Sequence, residues 1–470
     1  MKSRLTALLL TLALLLTVLP VCAAEETSNV PLMAYYECFA VPLGTGAIFE
    51  IPNEWGYQTM EDTDVPPTTS LLTDQNQMVM AMKLPADWEA TDASDALGIQ
   101  SFIVEGTALM LGLTTPQSTR LQEMTINDMP AVLVEMNGQG FDILWIGDSG
   151  DLYFFLFPND DDALVQQMIA VAQSLCVFHR KGEQVNPASD FAYTADGGEV
   201  TITDYIGTSE HVLIPDAIDG LPVTALGHRA FYEKTVTTVV VPDSVTEIGA
   251  ACFSGDNYLV SLKLPDGLKR LPPASLESCM RLYDFDLPQS LEKIYSSVFE
   301  FNYYLTHLTL PSSLTEIEQL NFIGLYGLQS LTLAEDNAAF KLDETNGLLM
   351  TADGTRLLHC FSDIVPAEEI ILPEGVKIVD PFAFHYDYDV ERIVLPEGVE
   401  TIGAMAFAMC PNLTEIVIPA SVTDIGVMDG LEGRTGIISY KRNVIVTPEG
   451  SPAWNWAVET GATVKSPEEN

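Results

Sequence analysis

Apolar and polar residues alternate with a fixed long period through the second half of the chain. The same short pattern surrounds a recurring proline, as in VVVPDSVTEIGAACF from Val239 and IVLPEGVETIGAMAF from Ile393. The prolines follow one another at one constant interval in two series: Pro242, Pro265, Pro288 and Pro311, and then Pro373, Pro396 and Pro419. A constant period of this length predicts a solenoid in which each repeat forms one coil.

Each repeat has apolar residues one and three positions before its proline, such as Val239 and Val241. This alternation predicts a short strand with one buried face, and proline, which has no N–H, is expected to end it. Other apolar residues recur three, six and eleven positions after the proline, and Phe299 is one of the last group. A single coil buries too little apolar surface to offset the entropy of ordering its backbone, so the coils must stack.

Residues two and four positions before each proline fall on the outward face of the predicted strand. In the earlier repeats they are mostly polar: Thr238, Ser261, Lys263, Asp284, Asp286, His307, Thr309, Ser330 and Thr332. In the last three repeats they are Glu369 and Ile371, Arg392 and Val394, and Glu415 and Val417. Parallel strands would place Ile371, Val394 and Val417 in one exposed row with a charged rim, the usual anatomy of an interface.

Tyrosines recur seven or eight positions before the proline, at Tyr258, Tyr303, Tyr304, Tyr326 and Tyr388. They are predicted to line the edge where the chain enters each strand. We interpret Tyr326 and Tyr388, together with the aliphatic row and its charged rim, as a candidate partner-binding surface. Ordinary β-propensity of the valines and edge packing of the tyrosines are the alternative explanation.

The period is interrupted once. Ala334 stands where the next proline is due, and the following repeat proline, Pro373, comes later than one period after it. The pairs Asn346-Gly347 and Asp353-Gly354 favour tight turns, so an inserted β-hairpin is predicted at about residues 335–363.

The repeats resemble a known family. The string AFAMCPNLTEIVIPASVTDIG, residues 406–426, looks like the BspA-like, or Treponema pallidum-type, leucine-rich repeats, and residues 205–231 are similar to the start of such arrays. GSPAWNWAVETG looks like the family's terminal cap, here about residues 434–461. The resemblance covers about residues 190–461 and implies a leucine-rich-repeat solenoid with a parallel β-sheet face. It also implies a bacterial surface or secreted protein that acts in adhesion or scaffolding.

Residues 25–180 do not share the repeat. Strands are predicted at Ala47–Pro52, Gln77–Leu84 and four later segments, with helices from about Ala93 to Leu113 and from about Asp162 to Val177. An antiparallel sheet with helices, an α+β sandwich, follows. FEIPNEW near its start and a helix after LYFFLF resemble the PsbP/Mog1-like fold. Polar residues 181–189 are interpreted as the linker, and residues 462–470 as a tail.

The N-terminal segment, residues 1–24, has the composition of a Sec signal peptide. Lys2 and Arg4 precede an apolar run from Leu5 to Leu19, and small residues follow at the cut. We therefore expect a secreted protein or one on the extracellular face of the envelope, with no membrane span in the mature chain. A lipoprotein acylated at Cys22 is the less favoured alternative, because a small residue does not precede that cysteine.

The formal net charge of -45 makes nucleic acid and anionic membranes poor partners. Hydrophobic residues make up 47% of the chain, which excludes a disordered protein. Cys279 and Cys410 share one repeat position and are expected to be unbridged core thiols, whereas Cys38 and Cys176 could pair.

Catalytic motifs are absent from the sequence: it has no HExxH, no Gly-x-Ser-x-Gly and no phosphate-binding loop. Asp387 and Asp389 are interpreted as part of a solvated turn rather than a calcium site. No cofactor or metal is predicted. The leading hypothesis is an exported protein that binds protein or glycan ligands on host or neighbouring cells, with the oligomeric state left open. The alternatives are a secreted enzyme with a catalytic domain at residues 25–180 and a purely structural envelope protein.

Overall fold

The computed structural model describes residues 184–362, 364–427, 436–438 and 443–467, preceded by ten strands and one helix between Cys38 and Val177. The chain divides after Gln184 into two compact units. The predicted signal peptide, and the predicted helix from Ala93 to Leu113, lie outside the described residues.

The first unit contains mainly antiparallel strands. They are β1 (Cys38–Pro42), β2 (Ala47–Pro52), β3 (Gly56–Asp62), β4 (Val65–Leu72), β5 (Met78–Leu84), β6 (Arg120–Ile126), β7 (Met129–Met136), β8 (Phe141–Gly147), β9 (Leu152–Pro158) and β10 (Cys176–Val177), with helix α1 (Asp162–Gln173) before the last. Seven strands form one sheet in the order β3-β4-β5-β9-β8-β7-β6, and three form another in the order β1-β2-β10. Phe49, Phe155 and Met168 share one core, so residues from a strand of each sheet pack with the helix. This is the predicted α+β arrangement.

Helix α1 is shorter than predicted. It ends at Gln173 instead of Val177, and Cys176 and Val177 pair with Ile48 and Ala47 of β2. Pairing with β2 gives their backbone groups sheet hydrogen bonds, and a β-branched valine suits a strand better than a helix end. The register also separates the two cysteines, because Cys38 pairs on the other side of β2, opposite Pro52. Two strand spacings amount to about 10 Å, beyond the Cα separation of about 7 Å that a disulfide spans.

The second unit begins with a 3₁₀ turn at Ala188–Asp190 and continues as short strands. Up to the interruption these are β11 (Phe191–Asp196), β12 (Glu199–Tyr205), β13 (His211–Leu213), β14 (Ala217–Ile218), β15 (Leu221–Leu226), β16 (Thr238–Val240), β17 (Glu247–Ile248), β18 (Ser261–Lys263), β19 (Arg270–Leu271), β20 (Asp284–Phe285), β21 (Lys293–Ile294), β22 (His307–Leu310), β23 (Glu316–Ile317) and β24 (Ser330–Leu333). After it come β25 (Phe340–Asp343), β26 (Leu348–Thr351), β27 (Arg356–Cys360), β28 (Glu369–Ile371), β29 (Ile378–Val379), β30 (Arg392–Val394), β31 (Thr401–Gly403), β32 (Glu415–Val417), β33 (Asp424–Val427), β34 (Val444–Val446) and β35 (Thr463–Lys465).

The coils contribute to two series of parallel strands. One series lies just before the repeat prolines and forms the sheets β13-β16-β18-β20, β22-β24 and β28-β30-β32-β34-β35. The other lies five or six positions after the prolines and includes β19-β21-β23 and β27-β29-β31-β33. Residues one repeat apart are paired, as Val239 is with Leu262. The predicted solenoid with a parallel β-sheet face is therefore confirmed.

The predicted apolar positions form the core of the solenoid. Phe253, Phe299, Phe384 and Phe407, each eleven positions after a proline, are at most 1% exposed. Cys279 and Cys410 are buried and unbridged, as expected. At the C-terminal end, helix α2 (Pro452–Thr460) places Ala453, Trp456 and Ala457 in the core, so Trp456 and not the half-buried Trp454 is the main cap. Strand β35 lies beyond the cap, in residues that the sequence pattern treats as tail.

The inserted segment divides the core of the solenoid. It forms the antiparallel strands β25, β26 and β27, with Gly347 and Gly354 at positive φ in the two predicted turns. Strand β27 then pairs in parallel with β29 and so takes its place in the second series. Neighbouring residues of the insertion face different clusters: Leu349 and Leu358 pack with the earlier coils, and Leu348 and Leu357 with the later ones.

We expect limited proteolysis to cut the chain first between about Phe178 and Val185 and to leave two stable fragments. The cut should fall before Asn186, because Asn186 is tied to the solenoid by its own N–H and by its side-chain oxygen, which both bond to Leu213. Mass spectrometry of the early fragments checks this. An earlier cut within the repeats would contradict the boundary.

Candidate interaction surface on the last coils

The outward residues of β28, β30 and β32 form two rows across the sheet. In the first row Glu369 pairs with Arg392 and Arg392 with Glu415. In the second, which we call the aliphatic row, Ile371 pairs with Val394 and Val394 with Val417. The residues between the rows, Ile370, Ile393 and Ile416, are fully buried. The alternation therefore places the predicted surface residues outward.

Exposure is greatest at the start of the aliphatic row. Ile371 is 58% exposed, whereas Val394 and Val417 are half-buried by their neighbours. The row continues through Val446, which is 6% exposed, and ends at Lys465 of β35. The apolar surface is thus bounded by a cation at its C-terminal end.

The charged row is a continuous chain of ion pairs. Arg392 donates from Nε to Glu415 Oε1 at 2.8 Å and from Nη1 to Glu369. Lys465 Nζ lies 2.8 Å from the other oxygen of Glu415. Hydrogen bonds from Arg392 and then Lys465 lower the pKa of the Glu415 carboxyl, and the two glutamates raise the pKa of Arg392. Exposed ion pairs contribute little to the stability of a fold. We therefore interpret the charged row as the rim of an interface, in which the ion pairs hold the charged side chains beside the aliphatic row.

The tyrosines form a separate cluster. Tyr326 stacks on Tyr303 at a centroid distance of 5.4 Å and meets Tyr386 edge to face at 5.5 Å, and Tyr386 lies 6.5 Å from Tyr388. We call these four residues the tyrosine cluster. Tyr326 belongs to the coil of β24, which is in a different sheet from β28.

Two parts of the tyrosine prediction were wrong. Tyr304 is 6% exposed and is a core residue, while Tyr386, which joins Tyr326 to Tyr388, was missed. Tyr386 lies thirteen positions after Pro373, and aligning the repeats would have matched it with Phe301, another half-buried aromatic residue.

Two residues of the earlier outward face are buried, contrary to expectation. Thr238 and Ser261 are 2% and 0% exposed. Their side chains are short, and they form hydrogen bonds along the row: Thr238 with His211 Nδ1 at 2.9 Å, and Ser261 to Asp284 Oδ2 at 2.7 Å. Polar side chains that bond to one another along a row can be covered by longer neighbours at little cost.

Asp387 is not in a solvated turn. It is 3% exposed, and its Oδ1 accepts hydrogen bonds from the backbone N–H groups of Asp389 and Val390. Burial raises the pKa of Asp387 to about 6. Burial also lowers the pKa of His359 to about 3 and that of His385 to about 4, so both imidazoles are neutral at physiological pH.

Over the ranges described, no three His, Cys, Asp or Glu side chains are grouped so as to hold a metal ion. Nor does any described helix have the length and apolarity needed to cross a membrane. The expectation that the chain is not an enzyme stays a prediction.

Comparison with known proteins identifies the repeats. A family model for the BspA type leucine rich repeat region matches residues 224–343 and 358–428 in six copies. The unmatched residues 344–357 lie within the insertion. No curated protein matches the chain.

Solved structures of several bacterial proteins are similar. The Treponema pallidum leucine rich repeat protein TpLRR is 26% identical, with 49% of this chain and 91% of that chain covered and a TM-score of 0.33. A leucine rich cell surface protein of Faecalibacterium prausnitzii is 19% identical, with 58% and 97% covered and a TM-score of 0.33. Cyanobacterial PsbP of Synechocystis is 10% identical, with 30% and 93% covered and a TM-score of 0.25.

These TM-scores are low, so the identification of the repeats rests on the family model and on the register of their strands. Residues 224–343 and 358–428 are repeats of the BspA-type leucine-rich repeat family.

Proposed function

We propose that this chain is an exported bacterial protein that binds a protein partner through the aliphatic row on the last coils, in adhesion or in scaffolding of the envelope. The observation that carries the proposal is Ile371, a large aliphatic residue that is 58% exposed at the head of a continuous apolar row. Burying such a row in a partner would remove apolar surface from water. The cell-surface description of the Faecalibacterium prausnitzii protein supports the location.

The surroundings of the row favour a protein partner. A flat apolar centre beside a rim of paired charges is typical of protein interfaces. With Lys465 included, the paired charges of Glu369, Arg392 and Glu415 sum to zero, so they set orientation and exclude water more than they attract a charged ligand. At Ile371 the outward face is not covered by the described part of the chain, which disfavours a purely structural role.

The variant Val394→Asp tests the proposal. It places a carboxylate in the middle of the row, so binding should be lost, while the free energy of unfolding should fall by only about 1 kcal/mol, the spread of strand propensities between valine and aspartate. The partner would first be isolated from extracellular-matrix and cell-envelope extracts with the mature chain. Its affinity for each variant would then be measured by surface plasmon resonance, with thermal unfolding in parallel.

Val240→Asp is the matched control. Val240 is also a half-buried valine two positions before a repeat proline, but it lies between Leu213 and Lys263 in the first sheet. This variant should bind normally. If Val394→Asp unfolds the protein, the inward and outward faces are reversed. If it folds and binds as the unchanged chain does, the ligand lies elsewhere, and residues 25–180 become the next candidate.

A further inference from the structure

The insertion interrupts the sheet that runs before the repeat prolines. Strand β24 is the last strand of one sheet and β28 the first strand of the next, and the two neither pair nor lie at the spacing of paired strands. The inserted strands pack against both halves of the core, with Leu349 on the earlier coils and Leu348 on the later ones. Side chains on both faces of this layer hold the flanking coils apart. Two strand spacings, about 10 Å, leave a slot one strand wide between β24 and β28, which we call the strand slot.

The strand slot is open to solvent, as the exposure of residues on both flanks indicates. Ile371 of β28 is 58% exposed, whereas Val394, which has a paired strand on each side, is half-buried. On the other flank Leu333 of β24 is half-buried, although Leu310, at the same repeat position one coil earlier, is fully buried. A missing neighbour strand accounts for the exposure on each flank.

Backbone groups of β28 point into the strand slot. Leu372 donates its N–H to the carbonyl oxygen of Val394 at 2.9 Å, on the side of β30. Backbone direction alternates along a strand, so Glu369 and Ile371 direct their N–H and C=O groups to the opposite side. Across the strand slot, neither residue has a backbone hydrogen-bond partner in the described part of the chain.

Strand β24 presents the same groups from the other flank. Ala334 donates its N–H to the carbonyl oxygen of Leu310 at 2.9 Å, on the side of β22, so Leu331 and Leu333 direct theirs into the strand slot. These groups also lack a backbone partner across the slot among the described residues. Facing rows of unpaired donors and acceptors are satisfied by an extended chain laid between them, which is how proteins bind a partner by β-strand addition.

The side chains beside the strand slot restrict the sequence of that chain. Glu369 and Ile371 are both exposed on its outward side. On their other side β30 offers them Arg392 and Val394, a basic and an aliphatic residue two positions apart. An added strand in the same register would place a basic residue beside Glu369 and an aliphatic one beside Ile371. Ile370 between them is fully buried, so the core below is closed and the middle residue of the added strand must be small.

We propose that the strand slot binds an extended segment of a partner protein, with the pattern basic–small–aliphatic, as an added parallel strand between β24 and β28. This rests on the proposed function, because the segment belongs to the protein that covers the aliphatic row. It places that segment at the end of the row where Ile371 is exposed. Main-chain hydrogen bonds supply most of the affinity, and Glu369 and Ile371 select the register.

Synthetic peptides test the strand slot without the partner. The probe is the fluorescein-labelled, C-terminally amidated peptide Ser-Thr-Arg-Ala-Val-Thr-Ser, titrated with the mature chain and followed by fluorescence polarisation. We expect saturable binding, a loss of about tenfold when the alanine is N-methylated, and a loss of about fivefold when glutamate replaces the arginine. N-methylation removes the N–H that the added strand would donate to the carbonyl oxygen of Glu369, and it leaves every side chain unchanged.

Variants of the chain locate the bound probe. Glu369→Lys should weaken binding of the arginine peptide by about fivefold and should bind the glutamate peptide more tightly than the arginine peptide, because the charge preference is then reversed. Asp286→Lys is the matched control. It makes the same charge change at an exposed outward residue of an earlier coil and should leave both affinities unchanged.

Three results would each overturn the proposal: no saturable binding, equal affinity for all three peptides, or equal losses in the two variants. The aliphatic row is tested separately by Val394→Asp against the partner itself. A failure of the strand slot is therefore distinguished from a failure of the proposed function.

Discussion

Replacing Phe299 with alanine is expected to lower the free energy of unfolding of the solenoid by about 3–5 kcal/mol, the usual range for a buried phenylalanine. Phe299 is fully buried, and its ring packs edge to face against Phe285 at 6.0 Å. It belongs to the core cluster of the earlier coils, where neighbours on both sides keep the cavity from closing. The change in the free energy of unfolding would be measured by guanidinium denaturation, monitored by circular dichroism and by amide exchange of solenoid peptides.

Tyr258→Ala serves as the control for that experiment. It removes an aromatic ring of similar size from the same region of the solenoid, but from a side chain that is 53% exposed. The hydrogen bond of Tyr258 to Asp256 is made by its backbone N–H and survives the substitution. The free energy of unfolding should change by no more than about 0.5 kcal/mol. A loss below about 1 kcal/mol in Phe299→Ala would place Phe299 outside the core and contradict the repeat register.

The second large effect is expected at Asp256. This residue is fully buried; its Oδ1 accepts the N–H of Tyr258, and its Oδ2 has no partner in the described part of the chain. The same repeat position holds Cys279, Asn302 and Cys410, each of which donates to a carbonyl of the preceding coil. An ionised carboxylate at this position cannot donate such a hydrogen bond, whereas a protonated carboxyl can. Burial raises the pKa of Asp256 to about 8 and so favours the protonated form.

The sign of the pH dependence follows from this shift. The unfolded chain releases the proton near pH 4, whereas the folded chain holds it to about pH 8, so the contribution of Asp256 to stability falls as pH rises between these values. Asp387 acts in the same direction, but only up to about pH 6. Asp256→Asn supplies an amide donor and removes the titration. The variant should therefore gain about 1.3 kcal/mol relative to the unchanged chain from pH 6 to 7, and about 1 kcal/mol more from pH 7 to 8, where the folded carboxyl itself ionises.

Denaturant unfolding at pH 6, 7 and 8 measures this difference. Asp284→Asn is a suitable control, because Asp284 is only half-buried and accepts a hydrogen bond from Ser261. For Asp284→Asn, the free energy of unfolding plotted against pH should run parallel to that of the unchanged chain from pH 6 to 8. Parallel curves for Asp256→Asn would mean that Asp256 is ionised in the folded protein.

Much of the solenoid could be predicted because its strands and turns are specified by short sequence patterns that recur in every repeat. The strands, the inward and outward alternation at Ile370 and Ile371, and the turns at Gly347 and Gly354 each depend on residues a few positions apart. The constant repeat period then brings equivalent positions together without any knowledge of the fold. The candidate row from Ile371 to Val417 follows from the strand alternation and the repeat period together.

The remaining features depend on contacts between parts of the chain that are not neighbours in sequence. Strands β3 and β4, which residue patterns alone did not identify, pair within the seven-stranded sheet, and Cys176 leaves the helix to pair with β2. Thr238 and Ser261 are buried, and their side chains form hydrogen bonds to His211 and Asp284 of neighbouring coils.

The sequence by itself determined that this protein is a stacked array of coils with one regular face. Every repeat has its apolar residues at the same positions, and stacking the coils buries all of them in one core. Only the tertiary structure decided that the insertion supplies a strand to the second series and splits the core between Leu348 and Leu349. It also decided that Tyr326 meets Tyr386 across the inserted coil. Such contacts join residues far apart in sequence, and their geometry depends on how the inserted coil packs, which no local pattern of side chains specifies.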